Sequence, residues 1–334
     1  MHSLYVSLSI FICRFSDPLT IMPKKIYKYI GPDYFDKVFQ LPDHVTLKCS
    51  MPKEFNDPYE LFLTIDFNEQ ADALAYYADA VGELPQLPTT CFSLSPVVIP
   101  MWAHYAQNNK GFAIEFSEEK LNKAFPESGF GDVDYLDKPK ESLKDALYKA
   151  YGTGKPRHTY FLQKGVFSTA YYSKSSCWSY EQERRMIVMG SETRSDGPLI
   201  LIDVPNESIT SIICGSRATE QTKHALFEKT KEVGCRYLEL RIGKSSATPY
   251  FVDSNGQTQS FSGSDIVPNP RYCKECKEPV AQGAKHCSWC QIDDVLRENA
   301  ASRNPHRILA YHGMLESYIA EMEEIGKKFR KDKL

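Results

Sequence analysis

The chain has 334 residues, of which 42% are hydrophobic and 12% aromatic, and a formal net charge of −3. That length suits two domains, or one large domain with an appendage, and 20 Tyr with 18 Phe argue for a well-packed core. The near-neutral charge excludes a globally basic nucleic-acid binder, so any such contact must come from a local patch.

Ten cysteines divide unevenly. Cys13, Cys49, Cys91, Cys177, Cys214 and Cys235 are scattered, mostly in apolar runs, while four cluster between 273 and 290. This is a reduced, cytoplasmic pattern with one metal site rather than a secreted disulfide framework. The apolar run Leu4 to Cys13 is shorter than the roughly 20 residues a bilayer requires, and it lacks a basic flank and a small-residue cleavage site. No membrane association is expected. Met22, followed by Pro-Lys-Lys-Ile-Tyr-Lys-Tyr, reads as a natural start, so residues 1–21 are expected to be a leader that is disordered or not translated.

Ile26 to Ile30 alternates like a first strand, Asp33 to Gln40 reads as a short amphipathic helix, and Val45 to Ser50 as a second strand. Phe55-Asn56-Asp57-Pro58 is turn chemistry, with Glu60 a free carboxylate beyond it. Residues 68–84 suit a helix, and a Pro-rich linker leads into a strand ending at Cys91-Phe92-Ser93. Residues 100–107 suit one or two helical turns; Gly111 breaks them, and Phe112, Ile114 and Phe116 alternate as the next strand. Trp102, His104 and Tyr105 crowd this short turn. Such rings stack on flat ligands while their N–H and O–H groups orient them, which makes the turn a candidate binding site.

Helices are expected over Glu118–Ala124, Lys138–Tyr151 and, helical or mixed, 158–172. Then comes Lys174, followed by Trp178-Ser179-Tyr180-Glu181-Gln182-Glu183-Arg184-Arg185, running into an apolar strand. If strand geometry extends back to 181, then Glu181, Glu183 and Arg185 share one face. Two carboxylates on one face repel, so one has a raised pKa unless Lys174 or Arg185 intervenes. Paired carboxylates with cations at a strand mouth are what charge-stabilising chemistry requires. Strands at Leu199–Val204 and Ile209–Cys214, a helix over Glu220–Val233 and a strand at Tyr237–Ile242 follow, the last three forming a parallel crossover unit. Asp253 to Ser264 reads as a polar loop leading to a domain boundary.

Cys273-x2-Cys276-x10-Cys287-x2-Cys290 is the strongest single motif. Each Cys-x2-Cys pair aims two thiolates at one point, and two pairs make a tetrahedral S4 cage suited to structural Zn²⁺. So small a module cannot bury a sufficient core, and metal binding would supply its folding energy, on the order of 10 kcal/mol. Beyond it, helical patterns over 292–326 carry an apolar stripe of Ile308, Leu309, Met314, Leu315, Ile319 and Met322 that could dock on the body or form an oligomer. The basic tail from Lys327 to Lys333 either suits a helix end or contacts phosphate weakly. The expected organisation is a leader (1–21), an α+β domain (22–265) whose small mixed or antiparallel sheets enclose a cleft with flanking helices, a zinc ribbon (266–295), and a C-terminal helix with a basic tail (296–334).

Several collinear stretches then agree: Tyr27-Lys28-Tyr29; Phe55 to Glu60; Cys91-Phe92-Ser93; Met101-Trp102-Ala103-His104-Tyr105-Ala106; Lys110-Gly111-Phe112-Ala113-Ile114-Glu115-Phe116; Lys174 with Trp178 to Arg185; and Ile212-Ile213-Cys214-Gly215. Over about residues 24–245 they resemble the bacterial family named domain of unknown function 2971, with Asn109 standing where the family often has His. The order of elements also resembles the ADP-ribosyltransferase fold, in which two small sheets enclose an NAD cleft. By that resemblance Tyr27 or Lys28 would hold the adenosine ribose. Ser93, His104 and Tyr105 would take the middle strand and its helix, and Glu181 or Glu183 would stabilise an oxocarbenium-like ribose. Asn56, Asp57, Trp102, Lys174, Trp178 and Arg185 complete the candidate binding set.

The first functional expectation is therefore an NAD-consuming ADP-ribosyltransferase-like enzyme, a toxin or anti-phage effector whose zinc ribbon and basic tail present a nucleic-acid or protein target. The second is a metal-dependent nuclease with Asp57, Glu60, Glu181 and Glu183 as ligands and Lys174 or Arg185 on phosphate. The third is a non-catalytic module that senses a nucleotide and binds a partner.

Overall fold

The computed structural model describes residues 24–59 and 64–331. The expected leader, the start at Met22, Glu60 and the end of the basic tail lie outside the described residues. The chain divides into two compact units, the first ending at Asn269 and the second beginning at Pro270.

In chain order the first unit contains β1 (Lys25–Ile30), α1 (Phe35–Val38), β2 (His44–Cys49), α2 (Ala71–Val81), β3 (Thr89–Ser93), α3 (Ile99–His104), β4 (Phe112–Ser117), α4 (Glu118–Ala124), β5 (Gly129–Asp132), β6 (Asp134–Leu136), α5 (Glu141–Thr153), α6 (Pro156–Tyr171), β7 (Ser173–Ser175) and β8 (Glu183–Ile187). It continues with β9 (Arg194–Asp196), β10 (Leu199–Pro205), β11 (Ile209–Cys214), α7 (Glu220–Val233), β12 (Arg236–Arg241), β13 (Tyr250–Asp253), β14 (Thr258–Phe261) and β15 (Ile266–Pro268). The fold is α+β. Its main sheet has ten strands in the order β15-β14-β13-β12-β11-β4-β1-β3-β8-β5, accompanied by a three-stranded sheet, β2-β10-β9, and the pair β6-β7. Within the main sheet β11 and β12 are parallel, with α7 as their crossover, and the other pairings are antiparallel.

Alternation along the strands sorts the core onto two faces. Ile26, Phe92, Ile114 and Phe116 pack with Val45, Leu47, Ile202 and Val204 of the smaller sheet. On the opposite face Tyr27, Tyr29, Ala113, Ile213 and Leu238 pack with Met101 and Trp102 of α3. Every residue of β4 is buried, as a strand covered on both sides requires. A third cluster joins α2, α5 and α6 through Ala73, Leu143, Leu147, Leu162 and Val166.

Three local expectations are corrected. The helix expected over Asp33–Gln40 splits into a 3-10 turn at Pro32–Tyr34 and the single-turn α1. The strand entering Arg185 begins only at Glu183, because Ser176–Glu181 forms a 3-10 helix. The polar stretch 253–264 holds a hairpin: Asp253 Oδ1 accepts the N–H groups of Asn255 and Gln257, Gly256 takes φ 72°, and β14 returns beside β13. Its polar composition masked the hairpin, since Asx-type turn chemistry serves a loop and a β-turn equally.

Between α3 and β4 three consecutive non-glycine residues, Gln107, Asn108 and Asn109, have positive φ (46°, 57° and 67°). Left-handed backbone costs about 1–2 kcal/mol per non-glycine residue, so neighbouring bonds must hold it. The N–H groups of Asn108 and Gly111 donate to Ala103 and Ala106 carbonyls, and Asn109 O accepts from Arg217. Gly111 lies directly on β1: a Cβ there would stand 2.1 Å from Ile30 O, a backbone atom that has no room to yield. We expect Gly111→Ala to lower stability by about 2 kcal/mol or more; urea unfolding of the purified variant checks it.

In the second unit a cysteine module precedes α8 (Asp294–Arg303), α9 (Pro305–Tyr311) and α10 (Leu315–Lys331). Asp293 and Asn304 cap the first two helices through their side chains. Gly313, at φ 68°, separates α9 from α10 and cuts the expected stripe, placing Ile308 and Leu309 on one helix and Ile319 and Met322 on the other. No helix among the described residues is long and apolar enough to cross a membrane.

Candidate functional site

The cleft starts from a fault in the main sheet. β1 and β3 meet at Tyr27↔Ser93 and then diverge, while β3 begins against the end of β2 through Ser50↔Thr89. Diverging strands leave backbone groups without ladder partners. Lys28 occupies the wedge: its Nζ donates to Cys91 O at 2.8 Å and to Thr90 Oγ1 at 3.1 Å. Around this wedge lies a cavity of about 190 Å³, whose wall includes Tyr27, Lys28, Asn56, Ser93, Tyr105, Lys174, Glu181 and Glu183.

A charged network forms one side. Lys174, from β7, reaches Glu181 Oε2 at 2.7 Å and Glu183 Oε2 at 3.3 Å. Arg185 Nε donates to Glu183 Oε1 at 2.7 Å, and its Nη1 to Tyr171 O at 2.8 Å. Its guanidinium also stacks 5.1 Å from the Phe55 ring centre. Tyr105 O–H donates to Glu181 Oε1 at 2.6 Å and accepts from Asn56 Nδ2 at 3.4 Å. Lys174, Glu181, Glu183 and Arg185 are all buried.

The two glutamates converge although no strand joins them. Gln182, at φ 46°, reverses the chain between the 3-10 helix and β8. Ser93 Oγ donates to Glu181 O at 2.7 Å and Leu94 N–H to Gln182 O at 2.9 Å, which pin that reversal to the end of β3.

Electrostatics follow from the geometry. Burial alone would push Glu183 up, but the charge and hydrogen bonds of Arg185, with Lys174, hold it down at about 2. The raised carboxylate pKa expected without an intervening cation is therefore not what Glu183 has; both cations intervene. Burial would push Lys174 down, yet Glu183 and Glu181 hold it well above its ordinary value, so it stays charged. Burial and the bond to Glu181 raise the Tyr105 phenol, which stays protonated. Burial and Glu183 raise Cys91, which stays a thiol rather than a nucleophilic thiolate.

The remaining candidates lie elsewhere. Trp102 is fully buried in the core, its indole N–H donating to Pro96 O at 2.8 Å and its ring edge-on to Tyr29, so it anchors α3 instead of lining the cleft. His104 is exposed beside Tyr180, their ring centres 6.3 Å apart. Trp178 covers the Lys174 ammonium at 4.8 Å from its ring centre and does not line the cavity. Asp57 is buried in a turn, Oδ1 accepting Tyr59 N–H at 2.9 Å, and it does not line the cavity. Tyr27 contributes to the wall, but its O–H donates to Glu115 at 3.1 Å within a separate buried cluster. Lys48, Glu54 and Cys91 also line the cavity, and Tyr135 O–H accepts Glu183 N–H at 2.7 Å. No local pattern flags Lys48, Glu54 or Tyr135, because each comes from a different element that only the fold brings alongside; Cys91 stands in the Cys91-Phe92-Ser93 stretch noted in the sequence.

In the second unit the sulfurs of Cys273, Cys276, Cys287 and Cys290 all lie within 4.8 Å of one another, a group that could hold a metal ion. Cys276 and Cys287 are 3.7 Å apart. A tetrahedron of metal–sulfur bonds near 2.3 Å has edges of about 3.8 Å, so the spacing fits zinc–thiolate coordination. Cys290 N–H donates to Cys287 Sγ at 3.4 Å. Burial opposes ionisation of Cys273, but backbone N–H groups, with Cys276, pull it down to about 6.

Residues 101–186 match the family described as protein of unknown function (DUF2971). The match covers less of the chain than the resemblance over 24–245 implied, yet it includes Tyr105, Lys174, Glu181, Glu183 and Arg185. Lys28 and the cysteine module lie outside it. No curated protein and no solved structure matches the chain.

Because Glu183 is held below its ordinary value of 4.5, its pairing stabilises the fold fully above that value, and the contribution is lost as pH falls toward about 2. We expect wild-type stability to drop across that window and the Glu183→Gln variant to show a shallower slope; denaturant midpoints measured from pH 5 to 2 check it.

Proposed function

We propose that the cleft takes the nicotinamide-ribose end of NAD and breaks its glycosidic bond, an ADP-ribosyltransferase-like reaction. The observation that carries this reading is Glu181, a buried carboxylate at the cavity wall with one oxygen held by Tyr105 and the other by Lys174. When the bond between ribose C1′ and the ring nitrogen breaks, its electron pair leaves with nicotinamide and positive charge develops on the ribose. A carboxylate already fixed in a poorly solvated cleft stabilises that charge without reorganising. An acceptor nucleophile, or water, then supplies the new bond to C1′ and gives up its proton. Glu183 acts one step removed, holding Lys174 and Arg185 so that Glu181 keeps its orientation. The cavity is smaller than the roughly 300 Å³ at which small-molecule sites begin, so it suits one end of a dinucleotide, the rest lying at its mouth.

The nuclease reading has less support. Divalent metals need unsaturated carboxylates, and here Glu181 and Glu183 share Lys174 while Glu183 also binds Arg185. Among the described residues the group of donors fit for a metal is the four cysteines, and Glu60 lies outside those residues. Four thiolates close a tetrahedron, so we assign that site a structural Zn²⁺ with no open position for chemistry.

Nicotinamide release from NAD by the full chain tests the cleft. We expect Glu181→Gln to lose on the order of a hundredfold or more of the rate, with folding checked by its thermal transition. Absence of release from wild type, with and without nucleic-acid and protein acceptors, overturns the reading. For the metal, we expect zinc in purified protein at one equivalent per chain; Cys273→Ser with Cys276→Ser should abolish it and expose the second unit to protease without slowing nicotinamide release.

A further inference from the structure

The cations of the cleft are unequally matched. Among the described residues Lys174 is held between Glu181 and Glu183, and Arg185 pairs with Glu183. Lys48 faces Glu54 only loosely, at 3.8 Å, with both side chains about half exposed. Lys28 bonds to a carbonyl and a hydroxyl and is ion-paired with no carboxylate among the described residues. It is half-buried, since solvent reaches it through the cleft while packed atoms enclose its other sides. Its two neutral acceptors occupy two of three N–H directions. One donor is left for the cavity, and the Phe92 ring lies 5.7 Å from the ammonium.

A cation removed from bulk water without a counter-charge is unfavourable, and the cost falls when an anion joins it. Burial lowers Lys28 from its ordinary value; Cys91, Cys49 and Glu183 pull the other way, and Lys48 adds to the lowering. Two neighbouring like charges at one side of a small cavity repel unless negative charge sits near both. Glu181 and Glu183 also line the cavity, but Lys174 engages both and Arg185 engages Glu183 as well. The cavity therefore holds carboxylates already paired with cations and, at the wedge between β1 and β3, an ammonium with no carboxylate ion pair among the described residues.

We propose that Lys28, assisted by Lys48, receives a phosphate group of the ligand, so that the cleft selects a phosphorylated nucleotide over the corresponding nucleoside. This rests on the reading of the cleft as a nucleotide site but not on its reaction. It assigns Lys28 a role different from holding a ribose hydroxyl. The alternative is that Lys28 merely satisfies the Cys91 carbonyl exposed by strand divergence, in which case its loss lowers stability and leaves ligand preference unchanged.

Two ligand pairs separate these outcomes: nicotinamide mononucleotide against nicotinamide riboside, and AMP against adenosine, each titrated calorimetrically into the full chain. We expect at least one phosphorylated member to bind on the order of ten- to a hundredfold more tightly than its nucleoside, with Lys28→Met removing that advantage and Lys28→Arg retaining part of it. In wild type, inorganic phosphate should compete with the monophosphate. Equal affinity within both pairs, no binding by any of the four, or an advantage that persists in Lys28→Met overturns the proposal. If Lys28→Met does not fold, Lys28→Gln, which can still donate to Cys91 O, carries the same comparison. Failure of the glycosidic reaction is read separately: a phosphate preference dependent on Lys28, without nicotinamide release, sustains this inference and removes the proposed chemistry.

Discussion

The cleft depends on one buried ammonium. Lys174 joins Glu181 to Glu183, and without it the two buried carboxylates would be left with Arg185, on Glu183, as their ion partner among the described residues. Removing one member of such a buried cluster costs about 3–5 kcal/mol, because a charge is left uncompensated. The cluster also ties together parts of the chain remote from one another. Lys174 comes from β7, Glu181 from the end of a 3-10 helix, Glu183 and Arg185 from β8, and Tyr105 from the end of α3. Charge satisfaction thus forces these elements into one geometry. A buried ion cluster contributes little net stability compared with apolar packing, so its retention is more readily understood as placement of charge.

The sheet supplies the opening. Most of the ten-stranded sheet is continuously paired, and its central strand is sealed on both faces. At β1 and β3 the pairing is confined to one end, and the freed Cys91 carbonyl is met by a side chain rather than by a strand. A sheet interrupted in this way exposes backbone and side-chain polar groups inside a protein core, which is where a polar ligand gains most from fixed partners. The left-handed turn at Gln107–Asn109 belongs to the same design: it brings the chain from α3 directly into β4, so that Tyr105 stays over Glu181. The second unit relies on different physics, with a sulfur cage in place of a large apolar core.

Much of this was legible in the chain itself. Strand alternation located β4 and β11, helical spacing located α4 and α7, and Cys-x2-Cys spacing located the sulfur cluster, because each signal is local and repeats with the geometry of its own element. Charged and aromatic residues packed around Lys174 to Arg185 marked the neighbourhood of the cleft. What local pattern could not rank was their individual placement. Trp102 and Tyr105 are three residues apart, on α3 and just past its end, yet one is sealed in the core and the other bonds Glu181. Alternation places Glu181 and Glu183 on one strand face, but β8 starts only at Glu183, and a reversal at Gln182 brings the two together instead.

The sequence by itself determined the α+β class, the cysteine cluster and the stretch that carries the charged residues, since periodicity, spacing and composition act over a few residues at a time. Only the tertiary structure decided that β1 and β3 diverge, that Lys28 stands in the resulting wedge, and that Lys174 lies between two glutamates. Those facts depend on which distant strands become neighbours and how the buried charges are matched, and both are properties of the packed whole.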